Sequence, residues 1–212
     1  MKQPTKIKLC GLSREQDIEY VNAALPDFAG FVFAESRRQI NADTAYKLKS
    51  LLDPRILSVG VFVNEDMAYI KGLCCEGVID YVQLHGDEDI AYIQKLNELL
   101  ERSNCSKPII KAIRVKGEQA LASTAELPVS YLLLDTYSTS AYGGTGKTFD
   151  WSLAVSAPKP VFLAGGLNIH NVASAINTAN PYCVDISSGV ESDGFKDRAK
   201  IINIVKLIRS VR

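Results

Sequence analysis

Short apolar runs recur along the chain with amphipathic stretches between them. The runs are Lys6–Cys10, Ala29–Phe33, Leu57–Phe62, Tyr81–His85, Ile109–Val115, Tyr131–Asp135, Val161–Ala164 and Cys183–Ser187. Several are rich in Val, Ile, Phe and Tyr, and Gly, Pro, Asp or Asn bounds them. That length and punctuation predict strands rather than buried helix. The intervening stretches predict helices. Ser13 can cap one to Ala24, with Gln16 as its capping-box partner. Others cover Ala42–Leu52, a segment capped by Asn64, and Asp87–Glu101, whose Ile90, Ile93, Leu96 and Leu100 share one face. Gly117–Glu126 and Asp150–Ser156 are shorter. Asn168 can cap a helix to about Thr178, and Lys196–Val211 carries Ile201, Ile204, Val205 and Ile208 on one stripe.

Strict strand–helix alternation gives a parallel sheet with crossover helices. Eight such units in 212 residues predict an α/β fold, a (β/α)₈ TIM barrel, as a single domain over 1–212. A doubly wound sheet is the main rival. It uses five or six strands, and its first turn often carries a glycine fingerprint. Here that turn reads Cys10-Gly11-Leu12-Ser13, which does not match.

Composition narrows the partner. Lys plus Arg and Asp plus Glu are both 24, so there is no electrostatic footprint for nucleic acid and no polybasic membrane segment. No apolar run suits a signal peptide or a membrane helix. Five cysteines without a CxxC pair, and only two histidines, fit no common zinc pattern. A reduced, cytoplasmic setting follows, with Cys74 and Cys75 read as helix-packing residues. A small-molecule ligand is the partner that remains.

In such a barrel, chemistry collects where strands run into the following loops. Strand seven ends in AGGLN and strand eight in DISSGVE. Gly165, Gly166, Ser187, Ser188 and Gly189 can together cradle a phosphate, or the glycines can simply serve tight turns. Asp135 closes an apolar strand, where partial desolvation raises a carboxyl pKa and suits a general acid; the plainer alternative is a loop cap. Cys10 ends strand one, across the mouth from Asp135. Cysteine usually packs as a small hydrophobe, yet alternation puts Lys8 on the same side, where an ammonium favours a thiolate base. Arg37 or Arg38, just past strand two, can hold a carboxylate bidentately or stand solvated. Gln83 and His85 alternate on strand four and can point into the mouth. The stretch AYGGTGKTFDW at 141–151 imitates a nucleotide-binding loop but has Ala141 where that motif needs glycine; it predicts a lid over 136–148 instead.

Taken in order, the strand ends resemble the phosphoribosylanthranilate isomerase family. The strings are KLCG at 8–11, GFVF and SRR within 30–38, VGVFVNE at 59–65 and VQLHGDE at 82–88. LLLDT at 132–136, YGGTGKTFDW at 142–151, AGGLN at 164–168 and VDISSGVE at 184–191 follow. The resemblance implies an isomerase of tryptophan biosynthesis that acts on N-(5′-phosphoribosyl)anthranilate by an Amadori rearrangement, without a cofactor. It implies Cys10 as general base and Asp135 as general acid. Arg38 would bind the anthranilate carboxylate, with Gln83, His85 and Asp185 on the substrate and the two final turns on its phosphate. A monomer or a homodimer fits equally. Two rivals remain. One is a histidine-pathway barrel running the same rearrangement, which would place an aspartate where Cys10 stands. The other is a non-catalytic phosphate-ligand barrel, which gives no reason for Cys10 to face Asp135.

Overall fold

The computed structural model describes residues 4–114, 121, 124–135 and 151–211. Eight parallel strands close into a barrel in sequence order, β8 pairing back onto β1. The strands are β1 (Lys6–Cys10), β2 (Phe28–Val32), β3 (Leu57–Phe62), β4 (Tyr81–Leu84), β5 (Ile109–Arg114), β6 (Tyr131–Asp135), β7 (Val161–Leu163) and β8 (Cys183–Ile186). All eight expected runs are strands, three with the expected ends and five with one or both ends shifted by one residue. Six α-helices stand among the described residues: α1 (Glu15–Ala24), α2 (Ala42–Leu51), α3 (Met67–Cys75), α4 (Ile90–Arg102), α5 (Val172–Ala179) and α6 (Arg198–Ser210). Trp151–Ser156 forms a 3₁₀ helix. The expected helix at 117–126 and the expected lid at 136–148 lie largely or wholly outside the described residues, as does all but Trp151 of the 141–151 motif.

The α2 helix starts at Ala42 as expected, but the other starts fall later than the sequence suggests, in most cases because an aspartate further along makes the better cap. Asp66, not Asn64, accepts from the backbone N–H groups of Ala68 and Tyr69; Asn64 sits at φ 50° and ends the turn after β3. Asp89, not Asp87, caps α4, and Asp197 caps α6. At α1 the carboxylate of Asp17, rather than Gln16, accepts from the N–H groups of Ser13 and Arg14 at 2.9 and 3.1 Å. The α5 helix begins beyond Asn171 rather than Asn168. Before α6, β9 (Glu191–Ser192) and β10 (Phe195–Lys196) form a small antiparallel hairpin that the apolar pattern does not announce.

Alternation along each strand sorts side chains into two cores. Outward residues such as Ile7, Leu9, Phe31, Phe62, Leu84, Leu132 and Val184 pack against the helices. Inward residues fill the lumen. Its lower part is apolar: Phe28, Val59, Ile110, Leu133, Phe162 and Cys183 are buried there, with Tyr81, Tyr131 and Tyr182 packed beneath. Aromatic contacts tie this floor together, with Phe28 against Phe162 at 5.4 Å and Tyr131 against Tyr182 at 4.9 Å between ring centres. Such a floor gives the upper lumen a rigid base. Cys74 packs in the core as expected. Cys75 does not: it ends α3 on the exposed side and is disulfide-bonded to Cys105 beyond α4, a departure from the reduced cysteines that the sequence predicts. One step of about 100° around a helix is enough to turn adjacent positions onto different faces.

Candidate active site

The upper lumen opens into a cavity of about 410 Å³ at the C-terminal ends of the strands. Every strand-end residue singled out from the sequence lines it except Gly189 and Arg37. A larger cavity, about 520 Å³, lies at the opposite end beside Pro181 and Tyr182. Its ionisable lining is Lys6, Lys159 and Tyr182, so it offers no acid–base pair. The paired acid, thiol and histidine side chains gather instead at the mouth.

Cys10 is the last residue of β1 and is 8% exposed. Its thiol lies against Gly30 of β2: a Cβ at that position would come within 2.7 Å of Sγ, so only glycine leaves room. Two positions earlier Lys8 is wholly buried, and its Nζ meets Oδ2 of Asp185 at 2.8 Å. Burial opposes that charge, but the carboxylate of Asp185 and the thiol of Cys10 outweigh it and hold the ammonium above its ordinary pKa. Lys8 favours the Cys10 thiolate, as its position on the strand predicts, but it does not outweigh burial. Burial pushes the thiol pKa up, Lys8 pulls it down, Asp185 pushes it back up, and the net shift is upward. The ammonium is already committed to a carboxylate, so only part of its field reaches the sulfur.

Asp135 ends β6, with Oδ2 3.3 Å from Nε2 of His85. Nδ1 of that ring lies 2.9 Å from the amide nitrogen of Gln83. The three side chains thus form a chain from the buried wall of β4 to the carboxyl. Behind them lies a side cavity of about 310 Å³, which His85 and Asp135 share with the main one. There Lys111 of β5 is buried against Glu88 at 2.9 Å and donates to the carbonyl of Gly86 at 2.7 Å, fixing the turn after His85.

At the rim, Arg38 lines the cavity and Arg37 does not. Both reach Glu191 of the hairpin. Arg38 binds it bidentately at 2.7 and 2.8 Å, and Arg37 at 2.6 Å. Lys196, expected to open a helix, is instead buried in β10 and donates to the same carboxylate at 2.8 Å and to the carbonyl of Ser187 at 3.0 Å. Burial would raise the Glu191 pKa, but Arg38 and Lys196 bring it down to about 2. One carboxylate therefore gathers three cations, leaving the rim with surplus positive charge beside the two final turns. The sequence reading passed over Glu191 and Lys196. Glu191 closes the DISSGVE string, but its pairing with Lys196 depends on the hairpin.

Gly165 and Gly166 turn through φ 90° and 68° after β7. Ser187 and Ser188 follow β8, and Ser187 Oγ donates to the carbonyl of Cys10 at 3.1 Å. Gly189 stands outside the lining, but a Cβ there would collide with the carbonyl oxygen of Leu167, so its bareness lets the two turns lie together. Among the described residues no cluster of His, Cys, Asp or Glu could hold a metal ion.

The fold and this mouth define a (β/α)₈-barrel enzyme. Residues 7–207 match the family model described as N-(5′-phosphoribosyl)anthranilate (PRA) isomerase. The chain is 52% identical over 206 residues to the N-(5′-phosphoribosyl)anthranilate isomerase of Endomicrobium trichonymphae, covering 97% of this chain and 99% of that one. Its structure is similar to that of the phosphoribosyl anthranilate isomerase of Thermotoga maritima, with a TM-score of 0.82, 36% identity and coverage of 97% and 98%. It is also similar to a phosphoribosyl anthranilate isomerase solved in complex with reduced 1-(o-carboxyphenylamino)-1-deoxyribulose 5-phosphate, at a TM-score of 0.80, 33% identity and coverage of 95% and 97%. The chain belongs to the phosphoribosylanthranilate isomerase family, and it is an isomerase of tryptophan biosynthesis.

Proposed function

We propose that the chain converts N-(5′-phosphoribosyl)anthranilate to 1-(2-carboxyphenylamino)-1-deoxyribulose 5-phosphate by an Amadori rearrangement. The observation that carries this reading is that one cavity is lined by a thiol, a carboxyl, an arginine and two glycine–serine turns, drawn from five different strands. The turns at Gly165–Gly166 and Ser187–Gly189 hold the phosphate, and Arg38 takes the anthranilate carboxylate with the edge that Glu191 leaves open. Substrate pinned at both ends lies across the mouth with its reacting sugar between Cys10 and Asp135.

Asp135 gives a proton to the ribose ring oxygen as the C1′–O bond breaks, and the anilino nitrogen forms the C1′=N cation. The Cys10 thiolate then takes the C2′ proton. Ketonisation adds a proton at C1′ and releases one from the 2′-hydroxyl, so no proton is gained or lost overall. The raised thiol pKa makes the thiolate scarcer and, once formed, a stronger base. A substrate cation at C1′ adds positive charge beside the sulfur at the step that needs the thiolate. Asp185, with Oδ1 buried and without a partner among the described residues, accepts from a sugar hydroxyl. Gln83 and His85 complete the substrate wall. These steps call for no metal or organic cofactor.

The partner is this small phosphorylated molecule, taken up by a monomer or homodimer in the cytoplasm. No helix among the described residues is long and apolar enough to cross a membrane. Asp135→Asn is the test, read by loss of the anthranilate fluorescence of the substrate. It lowers kcat by about 10²- to 10⁴-fold, the range that one positioned acid supplies. Near-normal turnover removes Asp135 from the mechanism, and binding by the wild type without any loss of signal favours a non-catalytic barrel.

A further inference from the structure

Gln83 is 1% exposed, and its amide is only half satisfied. The nitrogen reaches Nδ1 of His85 at 2.9 Å, while Oε1 is buried with no partner among the described residues. A buried amide oxygen without a donor is costly, so its retention beside the reacting groups calls for an explanation.

The imidazole supplies one. With the amide nitrogen donating to it, Nδ1 is bare and the ring hydrogen sits on Nε2. Nε2 then presents an N–H to Oδ2 of Asp135 at 3.3 Å, which favours the carboxylate and leaves no proton to give. Turning the amide by half a turn offers Oε1 to Nδ1 instead. The ring hydrogen must then lie on Nδ1, Nε2 is bare, and the hydrogen between Nε2 and Oδ2 belongs to Asp135. The same contact now favours the protonated carboxyl.

We propose that Gln83 is a positioning residue that sets the proton on Asp135 through the tautomer of His85. Its orphaned oxygen is the acceptor kept for the acid-loaded state. The two states differ by one proton, taken from solvent and carried on Asp135, while the ring hydrogen relocates from Nε2 to Nδ1 by solvent exchange. Delivery of the Asp135 proton to the ring oxygen returns the pair to its first proton count. This rests on the reading of Asp135 as the acid.

The charged groups that face the pair from other elements are mostly committed elsewhere. On the side-cavity face Lys111 is held by Glu88, and Asp87 lines the same space. On the main face Asp185 is held by Lys8 and Arg38 by Glu191, with Cys10 and Glu35 on the remaining wall. Among the described residues it is Gln83 that meets Nδ1.

Nitrogen-15 spectra of the histidine side chains test this. The chain has two histidines, and His170 is exposed, so His85 is separable. The ligand-free wild type shows a bare Nδ1 and a protonated Nε2. Gln83→Glu, whose carboxylate only accepts, moves the hydrogen to Nδ1. Gln83→Met removes both partners, mixes the tautomers and lowers kcat about 10- to 100-fold, with KM changed less than about threefold. If Gln83→Met fails to fold, the Gln83→Glu spectrum decides alone. A wild-type spectrum in Gln83→Glu, or undiminished kcat in Gln83→Met, overturns the role of Gln83. Asp135→Asn keeps the two readings apart: if it is inactive while the Gln83 variants behave as wild type, only this inference fails, and if it is active the acid assignment itself fails.

Discussion

Two thiols share the barrel lumen and live in different worlds. Cys183 sits on the floor beside Phe28, Phe162 and Leu133. Cys10 sits at the mouth, above Lys8 and within the field of Lys196. Both are buried, and burial raises both pKa values. For Cys183 burial acts with the charges of Asp185 and Asp27, which Lys8 and Lys6 offset only in part, so the thiol pKa lies well above its ordinary value and the thiol stays neutral. At Cys10 Lys8 acts on the sulfur both by its charge and by a hydrogen bond, Lys196 adds its own charge, and the rise is smaller. The difference shows that depth in the lumen alone does not decide what a cysteine does. The ion pairs built around it do. The floor contributes rigidity through packing, and the mouth gathers charges that are costly to bury unless paired.

Breaking the ion pair beneath the mouth should have the largest effect on stability. Lys8→Met leaves Asp185 nearly buried without its cation and costs about 3–5 kcal/mol. Urea denaturation measures this, and an unchanged midpoint would mean the pair does not support the mouth. Making the floor resemble the mouth has a smaller effect. Cys183→Ser puts a hydroxyl among aromatic rings and costs about 1–3 kcal/mol of stability with kcat intact. A large loss of turnover at an unchanged melting temperature would contradict the division of labour.

The smallest effect sharpens the comparison at its rim. Glu191 has a folded pKa of about 2 against an ordinary value of 4.5. A depressed carboxyl pKa contributes stability that is present above the ordinary value and lost as pH falls toward the folded one. Wild-type stability should therefore decline between pH 4.5 and about 2 more steeply than that of Glu191→Gln. Equal slopes would place the acid sensitivity elsewhere.

Much of this was legible in the sequence, for definite reasons. Strands were found because short β-branched and aromatic runs ended in turn residues, as at Leu57–Phe62. The mouth was found because a barrel puts function at strand ends, and Cys10 and Asp135 are both last residues of their strands. Helix starts were missed by two residues where a nearer polar residue competed with the true cap, as Asn64 did with Asp66. The rim was missed because Arg38 and Glu191 are 153 positions apart and meet only once the ring closes. The net shift of the Cys10 thiol was not legible because burial and Asp185 oppose Lys8 and Lys196 there, and local sequence reveals only Lys8. The Cys75–Cys105 bond was hidden for the same reason, since two separate helix ends must first be packed together.

Turnover of Cys10→Ser, set beside Cys183→Ser in the same fluorescence assay, tests the account most directly. A proton at C2′ that leaves to the sulfur of Cys10 predicts a fall in kcat of about 10²- to 10⁴-fold at the mouth and none on the floor. Full turnover from Cys10→Ser would contradict it.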